Sequence, residues 1–255
     1  MRPVASVAGR VVVRILLLTY VAIRLFWFLS ALGGRTTEYV SVEAGLKLAL
    51  WFLLTAVTAW LLVPRAPAAP IEELGLSAGF VRGLTFGALA TIPMMVAVGL
   101  LDRKSLQQDL VAGSAIIGPL AEEILFRGFL FRQLVRRAGW PVWAALVLSS
   151  IAFGLAHIRN VDAALLMAWR YGFLTTYLQS SVPYMAAGAL FAWVTYRWNS
   201  LWPAIALHGL MNFWWDLTKG EHAQPAFHFD TMSVAQGLSV MLAIALTLRW
   251  TRREA

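Results

Sequence analysis

The feature that most constrains this chain is a succession of apolar runs long enough to cross a lipid bilayer. A helix spanning the hydrocarbon core needs about 20 mostly apolar residues. Runs of this kind cover approximately 11–32, 45–63, 80–100, 112–134, 142–157, 183–198, 201–217 and 232–249. They predict an all-α, polytopic membrane bundle of about eight transmembrane helices. Composition agrees: 60% of the residues are hydrophobic and 13% charged, whereas a soluble domain carries about 25% charged residues. The shorter runs need burial inside the bundle. The stretch 161–182 fits a loop, a re-entrant segment or a ninth helix. The first run reads as a helix rather than a cleaved leader, because it is long, contains Arg24 and lacks a small-x-small cleavage site. The linker-like segment 64–75 is proline-rich and ends the second run. No repeat divides the chain, so residues 1–255 are expected to form one membrane domain.

The chain carries a net charge of +8, which in a soluble protein would suggest nucleic acid. Here the basic residues sit at the ends of apolar runs, so lipid and topology explain them better and no nucleic-acid partner is expected. With eight spans and both termini inside, ten basic residues (Arg2, Arg10, Arg65, Arg132, Arg136, Arg137, Arg197, Arg249, Arg252 and Arg253) fall on the inner side. Six (Arg35, Arg103, Lys104, Arg159, Arg170 and Lys219) fall on the outer side. The bias predicts cytoplasmic termini. Twelve Trp and six Tyr suit interfacial belts. Trp214 and Trp215 read as belt residues or as the lining of an entrance. The absence of Cys removes disulfides, thiolate metal sites and a cysteine nucleophile.

Charges inside the runs point to function. A charge at a helix centre costs roughly 2.5–3.5 kcal/mol on insertion scales, so such residues pair, face the bundle interior or do chemistry. Glu122, Glu123 and Arg127 lie inside the fourth run. Glu123 and Arg127, four residues apart, share a helix face and can pair. Glu122 points about 100° away, so its partner must come from another helix. The fifth run ends in Phe153 and His157, and the seventh holds His208 and Asn212, each pair at the same spacing. In a medium without hydrogen-bonding partners, the economical arrangement is for these groups to meet. Gly154, Ala156 and Gly209 permit close helix approach.

Together they offer chemistry. A carboxylate beside an imidazole can deprotonate water, and imidazole and amide N–H groups on one face can hold an oxyanion. That is equipment for hydrolysing an amide. No G-x-S-x-G elbow is present, so no acyl-enzyme is indicated. Glu122, His157 and His208 could instead ligate zinc, although no H-E-x-x-H helix exists. A buried ion network that only fixes packing, and a proton-coupled transporter, use the same residue types. His222 and His228 lie in a polar loop, and Arg14 and Arg24 can snorkel or pair with Glu38 or Glu43.

The ordered set EExxxR (Glu122, Glu123, Arg127), FxxxH (Phe153, His157) and HxxxN (His208, Asn212) resembles the CPBP family of CAAX-protease and bacteriocin-processing (Abi) intramembrane endopeptidases, which includes the Rce1-like enzymes. The resemblance covers about residues 113–216, leaving 1–112 as accessory helices and 217–255 as a loop and last helix. It implies that Glu122 and His157 activate water, that His208 and Asn212 stabilise the oxyanion, and that Glu123 and Arg127 support them. Phe153 is expected to pack. No cofactor is expected, with zinc as the alternative. The implied partner is a membrane-associated or exported protein or peptide substrate, and the implied location is a prokaryotic plasma membrane. A silent immunity or scaffold protein of the same fold is the alternative reading. One departure is "WNSLW" (198–202), where many members read "TGSLW".

Overall fold

The computed structural model describes residues 5–32, 70–100, 112–157, 173–217 and 231–251. The described residues are helical and contain no strand. We number the helices α1 (Ala5–Leu32), α2 (Pro70–Glu73), α3 (Phe80–Ala90) and α4 (Ile92–Leu100). Helix α5 is an unbroken run of four pieces, Ala112–Ile117, Gly118–Glu123, Ile124–Phe131 and Arg132–Arg136. Then come α6 (Val142–Ala156), α7 (Phe173–Trp198), α8 (Trp202–Asp216) and α9 (Thr231–Thr251).

Among the described residues helix α9 alone is long and apolar enough to cross a membrane, and α3 with α4 forms a second such span bent by 47°. The count of eight spans is therefore not established by the described residues. The run 45–63 lies outside them, as do His222, His228, Glu38 and Glu43. Helix α7 begins at Phe173 rather than near 183 and carries Pro183 inside it. The second half of the ambiguous stretch is thus helix, and its first half is not described. The proline-rich linker holds a short helix, α2, with Pro70 at its first position, where a missing N–H costs nothing.

The outer surface is apolar. Leu100, Val81 and Trp143 are exposed by 77%, 73% and 71%. Large apolar side chains this open to the outside are what a lipid-facing surface requires. Inside, two apolar clusters form. Leu74, Ile124, Phe126, Leu130, Phe131 and Phe153 centre one on α5 and α6. Phe86, Met94, Phe191, Leu207 and Met232 centre the other on α3, α4, α7, α8 and α9.

Small residues set the helix spacing. Gly83 and Gly87 of α3 lie against Trp202 and Ala206 of α8, so closely that a Cβ on either would stand 2.7–2.8 Å from the partner. Gly154 of α6 lies against Ser181 and Met185 of α7, and Gly209 of α8 faces the Ala115 carbonyl of α5. These contacts bring α3 against α8, α6 against α7, and α8 against α5. The turn between α5 and α6 uses Gly139 at φ 70°, a left-handed conformation open to glycine without steric cost.

The "WNSLW" departure has a local explanation. Asn199 adopts φ 45° and is the one described non-glycine residue with positive φ. Asparagine is among the few side chains that enter this region readily, so it can stand where glycine is usual. Its Oδ1 also accepts from Arg132 Nη1 at 3.3 Å. The loop is tied further by Leu201 N–H to the Gly75 carbonyl at 2.8 Å and by Trp202 Nε1–H to the Leu76 carbonyl at 2.9 Å. Asn199→Gly should lose a hydrogen bond worth about 1 kcal/mol. Asn199→Val should lose that bond and incur the left-handed penalty of about 1–2 kcal/mol as well. Thermal unfolding in detergent should rank the melting temperatures wild type, Gly, Val. A Val variant as stable as Gly would contradict the account.

Trp214 and Trp215 depart from a simple interfacial belt. Both are half-buried; Trp214 Nε1–H donates to Thr91 Oγ1 at 3.1 Å, and Trp215 Nε1–H donates to Gln236 Oε1 at 3.2 Å. They tie α8 to the α3–α4 bend and to α9.

Candidate active site

Helix α5 supplies both glutamates. Its Ile124–Phe131 piece is wound as a π-helix, starting directly after Glu123. A π turn closes i to i+5 and is wider than an α turn, and such insertions cluster at functional sites. The wider turn brings residues four apart more nearly into line. Arg127 Nη1 donates to Glu123 Oε1 at 3.0 Å, with both side chains fully buried. The guanidinium lies 4.0 Å from the Phe153 ring centroid and 5.3 Å from that of Phe191, so aromatic faces meet the charge that the carboxylate does not reach.

Glu123 has a second partner that spacing did not reveal. His208 Nδ1 lies 2.9 Å from the same Oε1. A carboxylate only accepts, so Nδ1 carries the proton and the ring is held in one orientation. Phe191 stacks on the His208 ring at 4.8 Å and 18°. His208 is thus clamped between a carboxylate and an aromatic face, with Nε2 turned toward Glu122.

His157 is fixed by different means. It is the C-cap of α6, and its Nδ1 lies 2.8 Å from the Phe153 carbonyl of its own last turn. The ring N–H satisfies one of the carbonyls that a helix end leaves unpaired. Tyr184 of α7 stacks on the other side at 4.2 Å and 19°. With Nδ1 committed as donor, Nε2 is the ring atom left to work, and it lies 3.5 Å from Glu122 Oε2.

Glu122 is the meeting point. Its Oε2 is 3.5 Å from His157 Nε2 and 3.8 Å from His208 Nε2, and its side chain keeps 19% exposure while Glu123 keeps none. The two neighbouring glutamates therefore differ in kind. Glu123 is a buried clamp, whereas Glu122 opens toward solvent-sized space between two imidazoles. Both separations are too long for good direct hydrogen bonds. Asn212 lies one turn beyond His208 on α8 and is half-buried. Phe153 is 1% exposed and contacts the His157 ring at 4.3 Å. Among the described residues, no three His, Asp or Glu side chains are placed to hold one metal ion.

The structure thus gathers Glu122, Glu123, Arg127, Phe153, His157 and His208. Tyr184 and Phe191 were missed, although Tyr184, Gly188 and Phe191 recur at one-turn spacing on a single face of α7. That pattern was a usable signal. Gly188 leaves the room: a Cβ there would stand 3.3 Å from both Arg127 Nη2 and Phe153 Cδ1.

The described residues form a helical bundle with an apolar exterior and buried acid–imidazole groups. Residues 109–214 match the family described as Type II CAAX prenyl endopeptidase Rce1-like. It is 31% identical over 101 residues to the Schizosaccharomyces pombe protein named "Probable CAAX prenyl protease 2", covering 38% of this chain and 36% of that one. It is 26% identical over 213 residues to the Bacillus subtilis protein named "Putative membrane peptidase YdiL", covering 75% and 79%. An uncharacterised Bacillus subtilis protein, YyaK, is 25% identical over 147 residues, covering 51% and 46%. The chain thus spans about a third to a half the length of two of these relatives. No solved structure resembles the chain closely enough to count as a match. The matched family and two of these relatives carry peptidase names, one of them that of a membrane peptidase.

Proposed function

We propose that this chain is an intramembrane endopeptidase that hydrolyses a peptide bond of a membrane-associated or exported protein with water activated by Glu122 and His157. The observation that carries the reading is the convergence of Glu122 Oε2 with the Nε2 atoms of His157 and His208, each ring being fixed through its Nδ1. A water between Glu122 and His157 gives up a proton to the carboxylate as its oxygen attacks the carbonyl carbon. The resulting oxyanion faces the His208 and Asn212 side of the site. His208 Nδ1–H is already given to Glu123, so Nε2 is the ring atom that faces the reacting carbonyl. The proton held by Glu122 then passes to the amide nitrogen, the C–N bond breaks, and acid and amine leave.

In this reading residues 113–216 are the catalytic core of a bundle of about eight spans, and 1–112 and 217–255 are accessory. Purified protein should cut a quenched membrane-inserted peptide, with one new amine and one new carboxyl terminus visible by mass spectrometry. Glu122 and both imidazoles are each occupied by a proton-transfer or orienting task, so cleavage should proceed without zinc. A chelator should leave the rate within about twofold of untreated enzyme. Loss of activity on chelation, restored by zinc alone, would move the three residues to the role of ligands.

The site should open to the non-cytoplasmic side. Four of the arginines assigned to the inner side, Arg132, Arg136, Arg137 and Arg197, lie at one end of the described bundle. Arg137 pairs with Glu73 at 2.6 Å, Arg132 reaches Asn199, and Arg197 donates to Thr251 at 2.8 Å. Helix α6 starts at that end and carries His157 at its far terminus. Basic ends face the cytoplasm. Single cysteines in this Cys-free chain test the map with a membrane-impermeant thiol reagent on intact cells. Labelling at 104 and protection at 139 is the expected pattern, and the reverse would turn the site to the cytoplasm.

A further inference from the structure

We infer that the basic end of the bundle holds a binding site for a phosphate-bearing anion, and that an anionic phospholipid headgroup is its natural occupant. The site is a cavity of about 480 Å³ between α5, α7 and the end of α9, more than two helical turns from Glu122. Pockets of roughly 300–1,000 Å³ suit small ligands and headgroups.

Three arginines line it, Arg132, Arg136 and Arg197, and no Asp or Glu does among the described residues. Their protein partners are mostly neutral. Arg132, only 7% exposed, donates from Nε to the Glu73 carbonyl and from Nη1 to Asn199 Oδ1. Arg197 donates twice to Thr251 Oγ1. Among the described residues Glu73 is the carboxylate near them, 4.0 Å from Arg136 and also felt by Arg132, and it is already bound by Arg137 at 2.6 Å. Among the described residues three cations thus share one hollow with a single nearby carboxylate that Arg137 already binds, which is costly unless an anion enters. A second observation is independent of charge. Thr195, fully buried, lines the same cavity, and its hydroxyl has no hydrogen-bond partner. Forked guanidinium donors match phosphate oxygens in pairs. Trp198 and Tyr196 also line the cavity and suit a headgroup-level position, where anionic lipid is at hand.

The test uses the whole protein in neutral detergent, with thermal unfolding as readout and phosphatidylglycerol, phosphatidylcholine or inorganic phosphate as probes. Phosphatidylglycerol should raise the melting temperature by at least 3 °C more than phosphatidylcholine. The double variant Arg136→Gln/Arg197→Gln should lose at least half of that difference. Arg136→Gln alone, at a half-exposed side chain that folding does not need, should lose a measurable part and covers the case of a misfolded double variant. An equal shift from inorganic phosphate, abolished by the same variants, would keep the anion site and assign it a soluble source. No shift with either phosphate probe, or a shift that survives Arg136→Gln and the folded double variant, would overturn the proposal.

Discussion

Glu122→Gln is expected to abolish peptide-bond cleavage while the protein folds and purifies as wild type. The amide has the size of the carboxylate but cannot take a proton from water. Removing a general base typically costs about a hundred- to ten-thousandfold in rate. Folding should survive because Glu122 is partly open and its contacts with His157 and His208, at 3.5 and 3.8 Å, are long. His157→Ala should be similarly inactive, with a small stability loss from the uncapped Phe153 carbonyl, about 1 kcal/mol. The measurement is single-turnover cleavage of a quenched peptide beside thermal unfolding of the same preparations. Full activity in Glu122→Gln would remove Glu122 as the base and with it the proposed mechanism.

Part of this arrangement was legible in the chain because of the medium. An apolar helix offers no partners to Glu122, His157 or His208, so their meeting follows from cost alone, without knowledge of the fold. The Glu123–Arg127 pair was legible for a different reason: four-residue spacing places both on one face. What spacing did not supply was the third member of that pair. Residue 208 is remote in sequence, and nothing local indicates that its Nδ1, rather than Asn212 or Arg127 alone, meets Glu123. The π winding of α5 was equally hidden, since apolar residues fill its turn whichever way it is wound. The start of α7 was misplaced because Gln179, Ser180, Ser181 and Pro183 weaken the apolar signal. Pro183 lies inside the helix all the same, an interruption that membrane helices accommodate. Asn199 shows the converse. A departure from the family pattern at sequence level falls on a left-handed backbone position that asparagine, like glycine, can adopt.

Arg127→Ala should have the largest effect on stability, and its cause is distinct from that of Glu122→Gln. The guanidinium is completely buried, bound to Glu123 and packed on Phe153 and Phe191. Removing it leaves a buried carboxylate whose Oε2 already lacks a partner, together with a void the size of the largest fully buried side chain. Breaking one side of a buried ion pair typically costs about 3–5 kcal/mol. Glu123→Gln should cost less in packing, because the side chain keeps its volume. It should still disturb activity, because the amide binds His208 Nδ1–H more weakly and holds the ring less firmly. The double variant Glu123→Gln/Arg127→Met separates charge from packing. It removes both formal charges and refills most of the space, so it should recover much of the stability lost in Arg127→Ala while remaining poorly active. Melting temperatures and cleavage rates of the four proteins give the comparison. If Arg127→Ala melts within about 2 °C of wild type, the pair is not holding the helices together. If the refilled double variant cleaves at the wild-type rate, Glu123 has no part in orienting His208.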